Sequence, residues 1–280
     1  MTASPVPPLG EWAGGSFGER GTCVLAPNPG PMTLDGTNTW VLREPGAERV
    51  VLVDPGPLDE AHLDAQLAAC GGAGRVALVL VTHHHHDHTD AVDAIHARTG
   101  APVRAVSPDW CRAADPLTDG EAIDVEGLSL SVVATPGHTA DSVSFVVGGD
   151  KALLTGDMVL GRGTTVVVHP DGAIAPYLDS ITRMRALVTA GEIEVAWPAH
   201  GPVLDDAGAV LDHYLTHRQQ RLDQVRDALV ALGEQPGPDA ADHPTLARRV
   251  VEVVYADVDR SVWDAAEWSV RAQLAYLAPA

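Results

Sequence analysis

The sequence predicts an α/β protein, and three features lead to this prediction. The apolar, β-branched segment 76–81 has the length of a buried strand and is too short for a helix. The helical segment 58–70 lies between it and an earlier strand at 50–53, which makes a β-α-β unit. From residue 121 onward the pattern changes to short strands separated by turn residues. Together these features indicate one large domain in which helices pack on sheets.

Composition limits the possible functions. The chain has 280 residues, 45% of them hydrophobic, which is enough for a substantial core and a small appendage. Its net charge of −20 opposes non-specific binding to nucleic acid or anionic lipid. Cys23, Cys70 and Cys111 are widely spaced and odd in number, so no disulfide framework is expected. With no secretory leader pattern and no membrane-length apolar stretch, we expect a cytoplasmic protein.

The first half of the chain is interpreted from its apolar runs and turn residues. Residues 1–20 are rich in Pro and Gly and are expected to form an irregular arm, and residues 28–39 a long loop. Helices are predicted at 58–70 and 90–99, and each is followed by glycine as a stop signal. Strands are predicted at 22–25, 40–42, 50–53, 76–81 and 103–106.

The second half ends in helices. Strands are predicted at 122–125, 128–134, 143–147, 152–154 and 193–197, with a hairpin turn at 148–150. Helices are predicted at 206–232, 244–255 and 262–277, and Ser261 with Asp264 forms a capping box before the last of them. We therefore predict a catalytic domain over residues 1–205 and a small helical subdomain over residues 206–280.

The segment Thr82-His83-His84-His85-His86-Asp87-His88 directly follows strand 76–81, at the end of the strand where α/β proteins place their chemistry. Because side chains alternate, His83 and His85 can converge on one point while His84 and His86 face away. Asp87 and His88 then turn into the next helix, so a second pair of ligands can face the same cavity. A histidine run alone is a weak signal, since such runs bind metal loosely on many surfaces. The H-x-H-x-D-H spacing directly after a strand makes a specific metal site the stronger interpretation.

Three later strands also end in a polar residue within a Gly- or Pro-containing turn. His138, Asp157 and His200 follow the strands at 128–134, 152–154 and 193–197. Taken singly, each is an ordinary turn residue. Taken together and in this order, they extend the pattern begun at residue 83.

This complete pattern resembles the metallo-β-lactamase superfamily, whose signature is filled here by His83, His85, Asp87, His88, His138, Asp157 and His200. The resemblance implies a four-layer αββα fold and two zinc ions, with iron or manganese as alternatives. His83, His85 and His138 would hold one ion, Asp87, His88 and His200 the other, and Asp157 would bridge them. Asp54, which follows the strand at 50–53, would support the site by accepting a ligand imidazole N–H.

The resemblance also implies a reaction. Two such metals can share a water, lower its pKa and hold the hydroxide for attack, and Asp87 is expected to orient this nucleophile as the catalytic carboxylate. Asp157 stands where the common zinc β-lactamases carry a metal-binding cysteine. A true β-lactamase is therefore disfavoured.

A closer resemblance, over residues 22–232, is to the β-lactamase-like protein 2 subgroup. It rests on the loop 28–39, the run 156–165, the segment 177–180, and His200-Gly201-Pro202 together with His217-Arg218. In that subgroup a winged-helix-like domain follows the metal domain, some members cleave single-stranded RNA, and related fungal enzymes are carrier-protein thioesterases. This chain lacks an evident wing hairpin and has one lysine, Lys151, so we expect a truncated helical subdomain and disfavour RNA.

Three functions are therefore compared. The preferred one is a binuclear metallohydrolase acting on a small ester or thioester, and the alternative is a single-stranded RNA endonuclease, which the charge and the short segment between Asp157 and His200 disfavour. The third is a non-catalytic metal-stabilised binding protein, which seven intact ligands make improbable. Substrate contacts are assigned to Thr37, Asn38, Tyr177 and Ser180, with packing as the alternative for the last two. The sequence does not predict the oligomeric state.

Overall fold

Two β-sheets form the centre of the fold in the computed structural model, which describes residues 8–257, 259–260 and 263–279. The first sheet has the order β1-β2-β3-β4-β5-β6, antiparallel up to β4 and parallel from β4 to β6. Its strands are Gly15–Phe17, Gly21–Leu25, Asn38–Leu42, Val50–Val53, Val76–Leu80 and Val103–Arg104.

The second sheet has the order β11-β10-β9-β8-β7 and is antiparallel except for the parallel pair β10 and β11. Its strands, β7 to β11, are Ala122–Val125, Leu128–Ala134, Val143–Val147, Ala152–Gly156 and Val195–Pro198. The helices, α1 to α7, are Glu60–Cys70, His86–Thr89, Val92–Thr99, Ile174–Thr189, Ala207–Leu232, Leu246–Val254 and Trp263–Leu277.

The sheets face each other across a shared apolar core, and helices cover their outer faces. Trp40 of β3 and Trp197 of β11 stack in this core with ring centroids 4.9 Å apart. A second core joins the first sheet to α1 and α3, and a third joins the second sheet to α4 and α5. Every residue of β4 is buried, because alternate side chains enter the central core and the outer core. The predicted four-layer αββα fold is thereby confirmed.

The C-terminal helices form a fourth apolar cluster. Val225 and Leu229 of α5 pack there with Val250 of α6 and Val270 of α7. The first half of α5 instead contributes Leu211, Tyr214 and Leu222 to the third core. No strand follows β11 within the described part of the chain, which agrees with a helical subdomain. Because α5 belongs to both clusters, a domain boundary after residue 205 stays a prediction.

The structure also differs from the sequence prediction at several points. A strand, β1, forms within the expected irregular arm and pairs with β2. The helix predicted at 90–99 corresponds to α3, which begins at Val92, and a further short helix, α2, precedes it within the histidine segment, from His86. Helix α4 was not predicted. The expected capping residue Ser261 lies outside the described residues. None of the described helices is both long and apolar enough to cross a membrane.

Candidate metal centre

Four strand ends meet at one edge of the two sheets, and each carries polar side chains into the space between them. His83, His85, Asp87 and His88 follow β5 of the first sheet. His138, Asp157 and His200 follow β8, β10 and β11 of the second sheet. The expected ligands therefore come from both sheets, and the structure brings all seven together in two neighbouring groups.

The first group consists of His83, His85, His138 and Asp157, each with one ligand atom within 4.8 Å of the others. His85 Nδ1 lies 3.0 Å from His83 Nε2 and 3.1 Å from His138 Nε2. Asp157 Oδ2 lies 3.8 Å from His83 Nε2 and 3.6 Å from His138 Nε2. Three imidazole nitrogens and one carboxylate oxygen thus point at a common centre.

The second group consists of Asp87, His88 and His200. Asp87 Oδ2 lies 3.1 Å from His200 Nε2 and 3.5 Å from His88 Nε2. The other oxygen of Asp157, Oδ1, lies 3.3 Å from His200 Nε2 and 3.7 Å from His88 Nε2. The two oxygens of Asp157 therefore face different groups, as the bridging position requires.

The outer nitrogens of three imidazoles are fixed by acceptors. His138 Nδ1 donates to the carbonyl of Val166 at 2.9 Å, and His200 Nδ1 donates to the carbonyl of Gly36 at 3.1 Å. His88 Nδ1 donates to Asp54 Oδ2 at 2.9 Å. Because each Nδ1 donates to an acceptor, Nε2 is the nitrogen that faces the interior, and it can bind a metal once it has lost its own proton.

The polar atoms of this site are suited to binding metal cations. His88 Nε2, His200 Nε2 and Asp157 Oδ1 are buried and have no hydrogen-bond partner. Leaving such atoms unpaired is costly, so groups of this kind are explained by an ion or a catalytic role. Imidazole nitrogens and carboxylate oxygens without thiolate suit zinc, iron or manganese. The donor set and its orphaned lone pairs thus both indicate a metal centre.

The charges of the ligands agree with this assignment. Burial acts to raise the pKa of Asp157, but His200 and His88 outweigh it and hold that pKa below its usual value. Burial, followed by His138, lowers the pKa of His85 to about 4. Burial acts to lower the pKa of His200, but Asp157 and Asp87 raise it to about 9. A cation would replace that proton, so metal binding at this group should release protons.

Thr82 is a functional residue that the sequence analysis missed. Its backbone N–H donates to Asp54 Oδ1 at 2.8 Å, and its hydroxyl donates to Asp54 Oδ2 at 2.7 Å. The same hydroxyl lies 3.1 Å from His83 Nδ1 and can accept its proton. The sequence could have indicated Thr82 through its position beside His83, at a strand end that lies opposite the carboxylate of Asp54. The sequence could not have indicated the carbonyls of Gly36 and Val166 as acceptors, because every residue has a backbone carbonyl.

The four residues expected to contact substrate have hydrogen-bond partners within the protein. Each side chain is buried and bonds to the protein itself: Asn28 Nδ2 donates to Thr37 Oγ1, and Asn38 Nδ2 donates to the carbonyls of Pro198 and Gly201. The Tyr177 hydroxyl donates to the carbonyl of Met158, and the Ser180 hydroxyl donates to that of Pro136. The carbonyls that accept from Asn38, Tyr177 and Ser180 lie in the loops that carry His200, Asp157 and His138, respectively. These hydrogen bonds agree with the packing role that was the alternative for Tyr177 and Ser180, and substrate contact by Thr37, Asn38, Tyr177 and Ser180 stays a prediction.

An αββα sandwich with histidine and aspartate groups at its strand ends defines a metallohydrolase of the metallo-β-lactamase fold. The family model described as the metallo-β-lactamase superfamily matches residues 32–190. The chain belongs to this family.

The chain is similar to two curated relatives in sequence and to one solved structure in fold. A β-lactamase-like protein 2 homolog from Caenorhabditis elegans is 31% identical over 259 residues, covering 89% of this chain and 78% of the relative. An atrochrysone carboxyl ACP thioesterase from Aspergillus chevalieri is 33% identical over 245 residues, covering 85% and 74%. A metallo-β-lactamase family protein from Thermus thermophilus has a TM-score of 0.72 at 22% identity, covers 92% of each chain, and is similar in fold.

Proposed function

We propose that the protein is a binuclear zinc hydrolase that cleaves an ester or thioester bond in a small acyl substrate. The observation that carries the proposal is the convergence of seven candidate ligands in two groups, with Asp157 in the first group and its Oδ1 3.3 Å from His200 Nε2 of the second. Three buried atoms of these residues have no hydrogen-bond partner. Two zinc ions held by these groups would supply an activated water and polarise the scissile carbonyl.

Asp87 has the geometry expected of the carboxylate that orients the attacking water. Its side chain is 27% exposed, whereas those of His88 and His200 are 0% and 1% exposed. Asp87 can therefore accept a hydrogen bond from water on the open side of the site and pass a proton to solvent. The imidazoles are held from behind by Val166, Gly36 and Asp54, so they keep their positions while Asp87 acts.

The substrate class is supported by an apolar pocket formed in part by the loop that leads to Gly36. The pocket has a volume of about 1010 Å³ and is lined by Leu9, Trp12, Leu25 and Leu34, among others. Leu34 is two residues from Gly36, whose carbonyl holds His200. Such a wall suits an acyl chain better than a polynucleotide, and the similar protein from Aspergillus chevalieri is named a thioesterase. The net charge of −20 also disfavours RNA.

The proposal is tested by metal analysis and a hydrolysis panel. Protein stripped with a chelator would be reloaded with zinc, iron or manganese and assayed on acyl thioesters of increasing length and on single-stranded RNA. We expect metal-dependent thioester turnover that exceeds RNA cleavage and that falls about 10²- to 10⁴-fold in Asp87→Asn. The matched control is Asp90→Asn, because Asp90 is an exposed carboxylate bonded to His86 outside the site.

Two outcomes would overturn the proposal: RNA cleavage exceeding thioester turnover, or turnover that persists without metal. The cytoplasmic location and the boundary between residues 1–205 and 206–280 stay predictions from the sequence.

A further inference from the structure

A second pocket lies between the catalytic layers and the C-terminal helices. It has a volume of about 240 Å³. One wall is the loop that contains Thr165 and Val166, and the other walls are formed by α5 and α7. From α5 the pocket receives His217, Arg218 and Arg221, which include the His-Arg pair singled out in the sequence. These three residues are not ligands of the metal centre, so they need their own explanation.

Arg218 is buried without a counter-charge. Its side chain belongs to a residue that is 4% exposed, and its guanidinium lies 4.7 Å from the ring centroid of Tyr177. Arg218 Nη2 donates to the carbonyl of Thr165, but Nε is buried and has no partner. Among the described residues, no carboxylate forms an ion pair with Arg218. Because an arginine keeps its charge in a protein, an unpaired buried guanidinium indicates that an anion is its missing partner.

Two neighbouring side chains also present unpartnered polar atoms. Arg221 Nε donates to His217 Nε2 at 3.4 Å, so His217 Nδ1 carries the proton, and this buried N–H has no acceptor. Gln273 of α7 is 3% exposed, and its Oε1 is also unpartnered, while its Nε2 donates to the carbonyl of Ser269. Three residues that line the pocket therefore carry unpartnered polar atoms: Arg218 and His217 each have an N–H donor, and Gln273 has an acceptor that suits the hydroxyl of a hydrogen phosphate.

The pocket is positively charged in a strongly acidic protein. Arg221 stacks over the ring of Tyr255 at 4.9 Å and donates to Gln224, and within the described residues it has no carboxylate partner. None of the described lining residues is acidic. Burial, followed by Arg218 and Arg221, lowers the pKa of His217 to about 4. With a net charge of −20 overall, this local excess of positive charge is specific to the pocket.

The loop that forms one pocket wall is hydrogen-bonded to two residues of the metal centre. Thr165 Oγ1 donates to the carbonyl of Asp157 at 2.6 Å, and the carbonyl of Val166 accepts from His138 Nδ1 at 2.9 Å. Both residues line the pocket, and each holds a ligand of the first group. A volume of about 240 Å³ lies below that of pockets for whole ligands and suits a headgroup.

We propose that this pocket binds a phosphate or carboxylate group carried by the substrate, held by Arg218, Arg221 and His217. The assignment to substrate rests on the proposed hydrolase function, whereas the binding of an anion does not. The reacting acyl group would lie at the metal centre, and the anionic group of the same molecule would lie behind the 164–166 loop.

Anion binding is tested by calorimetric titration of the metal-loaded protein with inorganic phosphate. Arg221 is chosen because it is partly exposed, whereas Arg218 is buried and its replacement could unfold the protein. We expect Arg221→Gln to weaken phosphate binding about tenfold or more, and Arg221→Lys to retain most of it. The matched control is Arg226→Gln, which removes a charge from the same helix at a side chain that is 48% exposed and paired with Asp223.

Phosphate that binds at the metal centre contributes equally to all these variants, so the differences between them report on the pocket. Equal phosphate affinities for Arg221→Gln and Arg226→Gln would overturn the anion site.

A second measurement identifies the source of the anion. The same variants would be assayed with an acyl thioester of coenzyme A, which bears phosphates, and with the same acyl group on N-acetylcysteamine, which bears none. We expect Arg221→Gln to raise KM about tenfold for the first substrate only, with kcat unchanged for both. An unchanged KM for the phosphate-bearing substrate would overturn its use of the pocket. Arginine-dependent phosphate binding without turnover of either thioester would refute the hydrolase function and leave the anion site standing.

Discussion

Asp54 Oδ2 accepts the Nδ1 proton of His88 at 2.9 Å, and both side chains are buried. The same oxygen accepts the hydroxyl proton of Thr82, which lies against His83. One carboxylate therefore orients a ligand in each metal group, directly through His88 and indirectly through His83. Asp54 is thus placed to couple the geometry of the two groups.

We expect Asp54→Asn to weaken metal binding about 10- to 100-fold, because an amide replaces one of the two acceptor oxygens with a donor. The backbone at Asp54 has a φ of 52°, which asparagine adopts readily, so the fold should persist. Metal affinity is measured by competition with a chromophoric chelator. Asp59→Asn is the control, because Asp59 caps α1 and asparagine caps a helix equally well. Equal metal affinities for the two variants would refute this role of Asp54.

Tyr177→Phe tests whether Tyr177 positions a loop or touches substrate. The Tyr177 hydroxyl donates to the carbonyl of Met158, the residue after the bridging Asp157, at 2.7 Å. Removing it should lower the free energy of unfolding by about 1 kcal/mol, since the Met158 carbonyl loses the shorter of its two hydrogen bonds and keeps only that from Thr165 Oγ1 at 3.3 Å. KM should stay unchanged. Urea unfolding and steady-state kinetics measure the two effects, and a large rise in KM with unchanged stability would favour substrate contact instead.

The convergence of the seven candidate ligands could be predicted because their residue types recur at the ends of buried strands in a fixed order. The C-terminal ends of α1 and α5 could also be predicted, since Gly71 and Gly233 follow them, whereas α1 begins at Glu60, after its cap Asp59, and not at residue 58 as predicted. Helix α4 was missed because Ala173 provides no side-chain cap, although its apolar residues have helical spacing. Only the helical spacing of its apolar residues indicated this helix in the sequence.

The roles of individual polar residues were harder to predict. Asn38 and Ser180 lie near the ligands whether they bind substrate or bond loop carbonyls, and only the structure shows their partners. The same limit applies to Arg218: the sequence shows a His-Arg pair, but its burial without a carboxylate depends on how α5 packs against the 164–166 loop.

Because His62 is buried, we expect the protein to lose stability in acid. Burial, which outweighs the nearby Asp59 carboxylate, lowers the pKa of His62 from 6.5 to about 4. Between these values the unfolded chain binds more protons than the folded protein, so stability falls as pH falls from 7 towards 4. Between pH 7 and pH 5, His62 should account for about 1 kcal/mol of the loss, once solvent screening is allowed for.

The measurement is urea unfolding of the wild type and His62→Gln at both pH values. Acid release of metal affects both proteins, so the difference between them isolates His62. His213→Gln, which changes an exposed histidine on α5, is the control and should follow the wild type. A wild-type loss no greater than that of His62→Gln would contradict the assignment.

At Gly137, close backbone packing is expected to affect metal binding. It has a φ of 144°, and a Cβ there would overlap the backbone of Tyr177 at the start of α4. Its carbonyl accepts the N–H of Ala173 at 2.9 Å, and the next residue is the ligand His138. Gly137→Ala must therefore move either α4 or the loop that carries His138. We expect it to lower the free energy of unfolding by about 3 kcal/mol or more and to weaken metal binding.

Gly191→Ala separates this clash from backbone strain alone. Gly191 also has a positive φ, 75°, but a Cβ there would meet no atom within 4 Å. It should therefore cost only the strain of that conformation, about 1 kcal/mol, and leave metal affinity unchanged. Thermal unfolding and chelator competition on both variants provide the comparison. If Gly137→Ala were no more damaging than Gly191→Ala, the close approach of Tyr177 would not be what holds His138 in place.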